Sequence, residues 1–200
     1  FFASFFPSPD TSSISVASYG IAIRIEQIIL LPAIGLNFAC LALTGQNFGA
    51  VKYDRIREGY LICLKYGLIL MVCGSLFLYF GAGYFMKIFT DDIPVINTGI
   101  HYLQIAALFA PILPVLNISI ALMQGVKKPI YTVFISLFKE VVGAAIIIWL
   151  LCFYLNYKLQ GLWVGILIVN YLSVIIFLFI VNNQMKSLGL EIFRRKLPPN

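Results

Sequence analysis

Tyr60-Leu-Ile-Cys-Leu-Lys-Tyr-Gly-Leu-Ile-Leu-Met-Val-Cys-Gly-Ser-Leu-Phe-Leu-Tyr-Phe-Gly-Ala-Gly-Tyr-Phe-Met86 is an apolar run that holds one charged side chain, Lys65, near its start. Crossing a hydrocarbon core of about 30 Å takes roughly 20 apolar residues in a helix, and this run exceeds that. A barrel strand crosses with about ten, so a run of this length is far too long for one. Backbone polar groups have no water to bond in lipid, and a helix satisfies them internally. The stretch therefore reads as a membrane-spanning helix, with Lys65 close enough to one edge to snorkel into the headgroups.

Four further stretches meet the same test: Ser18 to Thr44, Pro94 to Met123, Pro129 to Tyr154 and Gly161 to Val181. The sequence thus predicts an all-α polytopic bundle of about five transmembrane helices over residues 18–184. Residues 1–17 read as a truncated helix remnant, Phe1 to Phe6, followed by an extracytoplasmic loop; residues 185–200 read as a basic cytoplasmic tail. Composition agrees: 61% of residues are hydrophobic, 11% are charged, and mean hydropathy is +0.96. A soluble domain carries about a quarter charged residues. A chain this poor in charge cannot cover a water-facing surface, so the lipid bilayer is the expected surrounding.

Charge position sets the orientation. Counting connections on alternate sides, one side receives Lys52, Arg55, Arg57, Lys127, Lys128, Lys186, Arg194, Arg195 and Lys196, and the other only Lys87 and Lys158. Positive residues collect on the cytoplasmic side, which places the Gly45 to Gly59 connection, the Gly125 to Lys128 turn and the tail there. The expected location is the cell (inner) membrane. The net charge of +6 is a topology signal spread over short connections and forms no nucleic-acid-binding face. No Lys or Arg precedes Arg24, as a signal peptide would require, and no Met opens the chain, so truncation through a preceding helix is expected.

Ionisable side chains inside spans are the candidates for function, because each costs about 2.5 to 3.5 kcal/mol at the membrane centre. Glu26 sits in the first span, with Asn37 on the same helical face and Arg24 pointing nearly the opposite way. A carboxylate about two turns in from the outer end suits a coupling ion or a cationic substrate; a structural bond to another helix is the alternative. The fourth span holds Lys139 and Glu140 on a stripe with Thr132, Ser136, Gly143 and Ala144. That stripe is expected to face other helices, either as packing or as part of a transport path. Asp91 and Asp92 sit at an outer mouth, where paired acids concentrate cations, or form a solvated turn before Pro94. His101 reads as an interfacial residue. Pro32, Pro111 and Pro114 each remove a helix hydrogen bond, and with Gly35 they permit bends. Cys40, Cys63, Cys73 and Cys152 lie in apolar runs without metal or redox spacing, and Gly161 and Gly165 hint at close helix packing. Nothing assembles an enzyme site, a metal cluster or a cofactor-binding loop.

Three strings carry a resemblance: Tyr19-Gly-Ile-Ala-Ile-Arg-Ile-Glu-Gln27 with Leu31-Pro-Ala-Ile-Gly35, then Thr44-Gly-Gln-Asn-Phe-Gly-Ala50, then Ala121-Leu-Met-Gln-Gly125 followed by Pro129. Together with Phe89-Thr-Asp-Asp92, their order and spacing resemble helices eight to ten of multidrug and toxic compound extrusion (MATE) transporters. The likeness runs from Tyr19 to the basic tail. It implies that the five spans are helices eight to twelve of a twelve-helix transporter whose N-terminal lobe is missing. It further implies alternating access, with organic cations or drugs extruded against inward H+ or Na+, and no cofactor beyond that ion. Two departures accompany it: the helix-seven acid of the best-known bacterial type is absent, and Pro94 to Met123 holds no Asp or Glu. A lipid-linked oligosaccharide flippase of the same superfamily and a non-transporting membrane fragment or scaffold are the competing readings.

Overall fold

The computed structural model describes residues 9–143 and 158–187. In chain order the elements are α1 (Pro9–Gly49), α2 (Tyr53–Phe89), α3 (Ile93–Phe109), a 3-10 turn (Ala110–Ile112), α4 (Leu113–Gly125), α5 (Ile130–Leu137), a π-helical turn (Phe138–Gly143) and α6 (Lys158–Ser187). Among the described residues the molecule is all helix. Four segments are long and apolar enough to cross a membrane: Ser13–Gly49, Tyr53–Phe89, Ile93–Gly125 and Ile168–Lys186. The expected fourth span, Pro129 to Tyr154, is described only as far as α5 and the π turn; its remainder, Cys152, the remnant Phe1 to Phe6 and the tail with Arg194 to Lys196 lie outside the described residues.

The helices overrun their apolar stretches. α1 begins at Pro9, so residues 9–17, expected as a loop, continue the helix. Proline is well placed in a first turn, where its missing amide has no carbonyl to bond and its φ is already helical. Glu26 accordingly lies about five turns from the start of α1, and about two from the expected edge of the apolar span at Ser18. At the other end α1 runs on to Gly49 and α2 starts at Tyr53. The expected Gly45 to Gly59 connection shrinks to Ala50, Val51 and Lys52, because nothing in the flanking polar sequence breaks a helix.

The Pro94 to Met123 span is the hub. In the best apolar window of Ile93–Gly125, 56% of residues are buried inside the molecule, against 17% in that of α1. α3 and α4 pack against α1, α2 and α6, and their small and branched residues fill two cores. One holds Tyr60, Ile118, Leu122, Met123, Phe177 and Met185; the other holds Ala22, Leu78, Met86, Leu103 and Ala106. Side chains on the outward faces of α2, such as Phe77, Phe80 and Tyr84, are exposed and apolar, as lipid contact demands.

Proline breaks the hub helix in its middle. Ala110 closes α3 normally by donating its amide to Ala106 O, but Pro111 and Pro114 have no amide to donate. Leu113 N therefore bonds Ala110 O, the tighter i to i−3 pattern, and one 3-10 turn separates α3 from α4. Pro32 has no such effect, and α1 is assigned as helix straight through it.

One close approach and two hydrogen bonds fix one end of the bundle. Gly125, at the end of α4, lies so close to α1 that a Cβ there would meet Thr44 Cβ and Cγ2 at 2.6 Å and Gly45 N at 3.2 Å. Lys128 donates to Gln184 Oε1 at 2.8 Å, and Gln184 Nε2 donates to Tyr131 OH at 2.8 Å. These contacts bring the α1–α2 turn, the α4–α5 turn and the end of α6 to one end of the bundle, which therefore carries Lys52, Lys127, Lys128 and Lys186.

Candidate functional site

A cavity of about 390 Å³ opens between α1, α3, α4, the π turn and α6. From α1 it takes Tyr19, Glu26 and Gln27, from α3 Tyr102 and Phe109, from α4 Asn117, from the π turn Lys139 and Glu140, and from α6 Asn170. Residues 19, 23, 26, 27 and 30 follow the i, i+4, i+7 spacing of one helix face, so α1 contributes a whole wall. Phe109 and Leu113 flank the 3-10 turn, so the proline break shapes another wall.

Among the described side chains Glu26 is the most buried acid. It is 8% exposed, and Tyr102 OH donates to its Oε2 at 2.6 Å, a short charge-assisted bond. Tyr19 packs edge-on against Tyr102, ring centroids 5.2 Å apart. Tyr102, with Tyr19 packed against its ring, thus holds a carboxylate whose cost in lipid would otherwise be about 2.5 to 3.5 kcal/mol. Arg24 is exposed on the opposite side of α1 and does not contribute.

Lys139 and Glu140 reach the same cavity. Their side chains pair with each other at 3.1 Å, Lys139 27% and Glu140 71% exposed. The expected stripe of α5 is only partly covered: Thr132 is buried, with its hydroxyl on Pro129 O, whereas Ser136 and Glu140 are open. Ser136 already lies open within regular α5, and the π turn follows at Phe138–Gly143.

The other candidates are elsewhere. Asn37 is outside the lining; its Oδ1 is buried and has no hydrogen-bond partner among the described residues. Asp91 and Asp92 are exposed in the turn between α2 and α3, where the Asp92 amide donates to Thr90 Oγ1 at 3.2 Å. They are not part of the cavity. Gly35 faces open space, and Pro32 is exposed on α1. Tyr19, Gln27, Tyr102, Asn117 and Asn170 are the lining residues that sequence reading passes over. The two asparagines carried a signal, as amides inside long apolar runs.

Chemically the lining offers two carboxylates against one ammonium, together with amide and phenol oxygens. That donor set suits a small hard cation, a proton on a carboxylate, or the cationic end of an organic molecule resting against Tyr19, Tyr102 and Phe109.

The MatE family model matches residues 2–150. No curated protein sequence matches the chain. Among solved structures, the chain resembles the MATE transporter ClbM in complex with Rb+, with TM-score 0.82 and 19% identity over 90% of this chain and 41% of that one. It also resembles a multidrug resistance MATE family transporter of the MOP superfamily in its inward-facing conformation, at TM-score 0.84 and 19% identity, covering 94% and 42%. The outward-facing conformation of such a transporter gives TM-score 0.84 and 19% identity, covering 94% and 41%. At that identity the likeness concerns the fold, and the chain spans about two fifths of the length of these transporters.

Proposed function

The chain belongs to the MatE family, and from that premise we propose that it serves as the C-terminal lobe of a secondary transporter, coupling inward H+ or Na+ to extrusion of organic cations or drugs by alternating access. The observation that carries this reading is Glu26, a buried carboxylate held by Tyr102 in a cavity that also takes in Lys139 and Glu140. A carboxylate in that position binds a proton, a metal cation or an organic cation, and exchange among them is what an antiporter needs. With two acids and one base, the lining favours cationic over anionic cargo, which weighs against the lipid-linked oligosaccharide flippase.

The rest of the reading follows from the lobe's place in a larger protein. The equal likeness to inward-facing and outward-facing transporters supports a lobe that moves as one body. Its partners are the bilayer and the missing N-terminal lobe. The end carrying Lys52, Lys127, Lys128 and Lys186 faces the cytoplasm, together with the C-terminus. Asp91 and Asp92 then lie on the outer side, where they concentrate cations without binding them in the cavity.

The test is Glu26→Gln in the intact transporter. Efflux of a cationic dye is expected to fall to background while the protein still reaches the membrane. Wild-type efflux in that variant would remove Glu26 from the mechanism.

A further inference from the structure

The proline break leaves Ala107 O without its helical amide, and two hydroxyls from different helices bond the carbonyls of this region. Pro111 has no amide for Ala107 O, the carbonyl four residues back. Ser75 Oγ, on α2, donates to that oxygen at 2.6 Å. On the neighbouring carbonyl, Leu108 O, Tyr171 OH of α6 donates at 3.2 Å. Leu108 is an exposed residue in the middle of a membrane span, where lipid offers its carbonyl no donor and Tyr171 OH does.

The position of the break gives these bonds a second consequence. Phe109 immediately precedes the 3-10 turn and Leu113 immediately follows it, and both line the cavity, with Asn117 one turn beyond. Tyr102, which holds Glu26, is on the other side of the break. Any change of angle at Ala110–Ile112 would therefore move the Leu113–Asn117 wall relative to the carboxylate. Helices interrupted by proline bend where freed carbonyls are loosely held.

We infer that Ser75 and Tyr171 are positioning residues: by capping Ala107 O and Leu108 O they lock the angle between α3 and α4 and so fix the cavity's wall against Glu26. The functional half of this inference rests on the transport reading above; the mechanical half does not. Ser75 tethers the break to α2 and Tyr171 tethers it to α6, so the broken helix is clamped from two sides.

The experiment is amide hydrogen exchange by mass spectrometry on the intact transporter in lipid nanodiscs, comparing wild type, Ser75→Ala, Tyr171→Phe, the double variant and Ser75→Thr. Exchange over residues 108–117 is expected to quicken about tenfold in the double variant and less in each single one, with α1 and α2 unchanged. Ser75→Thr, which keeps the hydroxyl, should stay at the wild-type rate. Unchanged exchange in the double variant, or an equal rise along every helix, would overturn the clamp. Should the double variant fail to assemble, Tyr171→Phe alone decides: a local rise supports the clamp and no rise refutes it. Cationic-dye efflux is measured alongside; a wild-type protein that moves no dye would sink the transport reading and leave the exchange result standing.

Discussion

The basic end of the bundle and the region around Glu26 are built from the same apolar alphabet, yet they solve opposite problems. At the basic end, α1, α2 and α4 meet without space. Tyr60 and Ser119 are completely buried 2.8 Å apart, and because the Ser119 hydroxyl hydrogen goes to Val115 O at 2.6 Å, Tyr60 is the donor between them. Thr44 is fully buried against Gly125. Around Glu26, α1 and α4 stand apart with α3, the π turn and α6, and the polar pairs Tyr102–Glu26 and Lys139–Glu140 line a cavity. Polar groups at the tight end bond across closed packing, whereas those at the open end border a cavity. The difference shows where this chain is rigid by construction and where it has room to bind.

The largest way to break that contrast is at Gly125. Gly125→Leu places a side chain where Thr44 and the backbone of Gly45 already stand, and backbone cannot be pushed aside cheaply. The expected cost is at or above about 3 kcal/mol, enough to reduce the folded, monodisperse fraction in detergent severely. A variant that purifies in wild-type yield with an unchanged unfolding midpoint would show that the approach of α4 to α1 is not a constraint.

A smaller effect is expected at the open region, and of another kind. Tyr102→Phe removes one oxygen and leaves Glu26 without its phenol donor. Loss of a hydrogen bond to a charged group should weaken cationic-dye binding by about tenfold or more, with little change in yield. This is the mirror image of Gly125→Leu, which should lose protein before it loses affinity. If Tyr102→Phe instead lowers yield while binding holds, the phenol supports the fold and not the site.

These two positions also mark how far the sequence could be read. Four of the spans were legible because length and hydropathy decide membrane crossing, and Glu26, Lys139 and Glu140 stood out as candidates because charge in lipid is rare. Tyr102 was not, for two physical reasons. A phenol is at ease in an apolar run, so it raises no alarm, and its partner is 76 residues away on another helix. Periodicity tells which face a residue is on, never what the face meets. The stripe from Thr132 was legible as a period, whereas the π turn at Phe138–Gly143, which brings Lys139 and Glu140 to the cavity, was not, because a regular α-helix was assumed. The helix ends were misplaced because hydropathy locates the membrane, and these helices continue beyond it.

The smallest effect concerns how the tight end is closed. Two turns there, after α1 and after α4, have the same backbone pattern. Lys52 N bonds Asn47 O at 2.9 Å with Val51 N on Phe48 O at 3.1 Å, and Lys128 N bonds Met123 O at 2.9 Å with Lys127 N on Gln124 O at 3.0 Å. Each is a Schellman closure, which needs a left-handed residue and usually has glycine there. Here the positions hold Val51 with φ 58° and Lys127 with φ 59°. A left-handed conformation costs an L-residue about 1–2 kcal/mol, most for a β-branched one, while glycine adds about 0.5–1 kcal/mol of unfolded-chain entropy. Val51→Gly should therefore stabilise by about 0.5–1 kcal/mol and raise the thermal midpoint in detergent, because strain relieved exceeds entropy lost. For Lys127→Gly the two terms nearly cancel, since an unbranched side chain tolerates the left-handed region better. A midpoint that falls in Val51→Gly, or rises equally in both variants, would mean that branching at Cβ is not what strains the first turn.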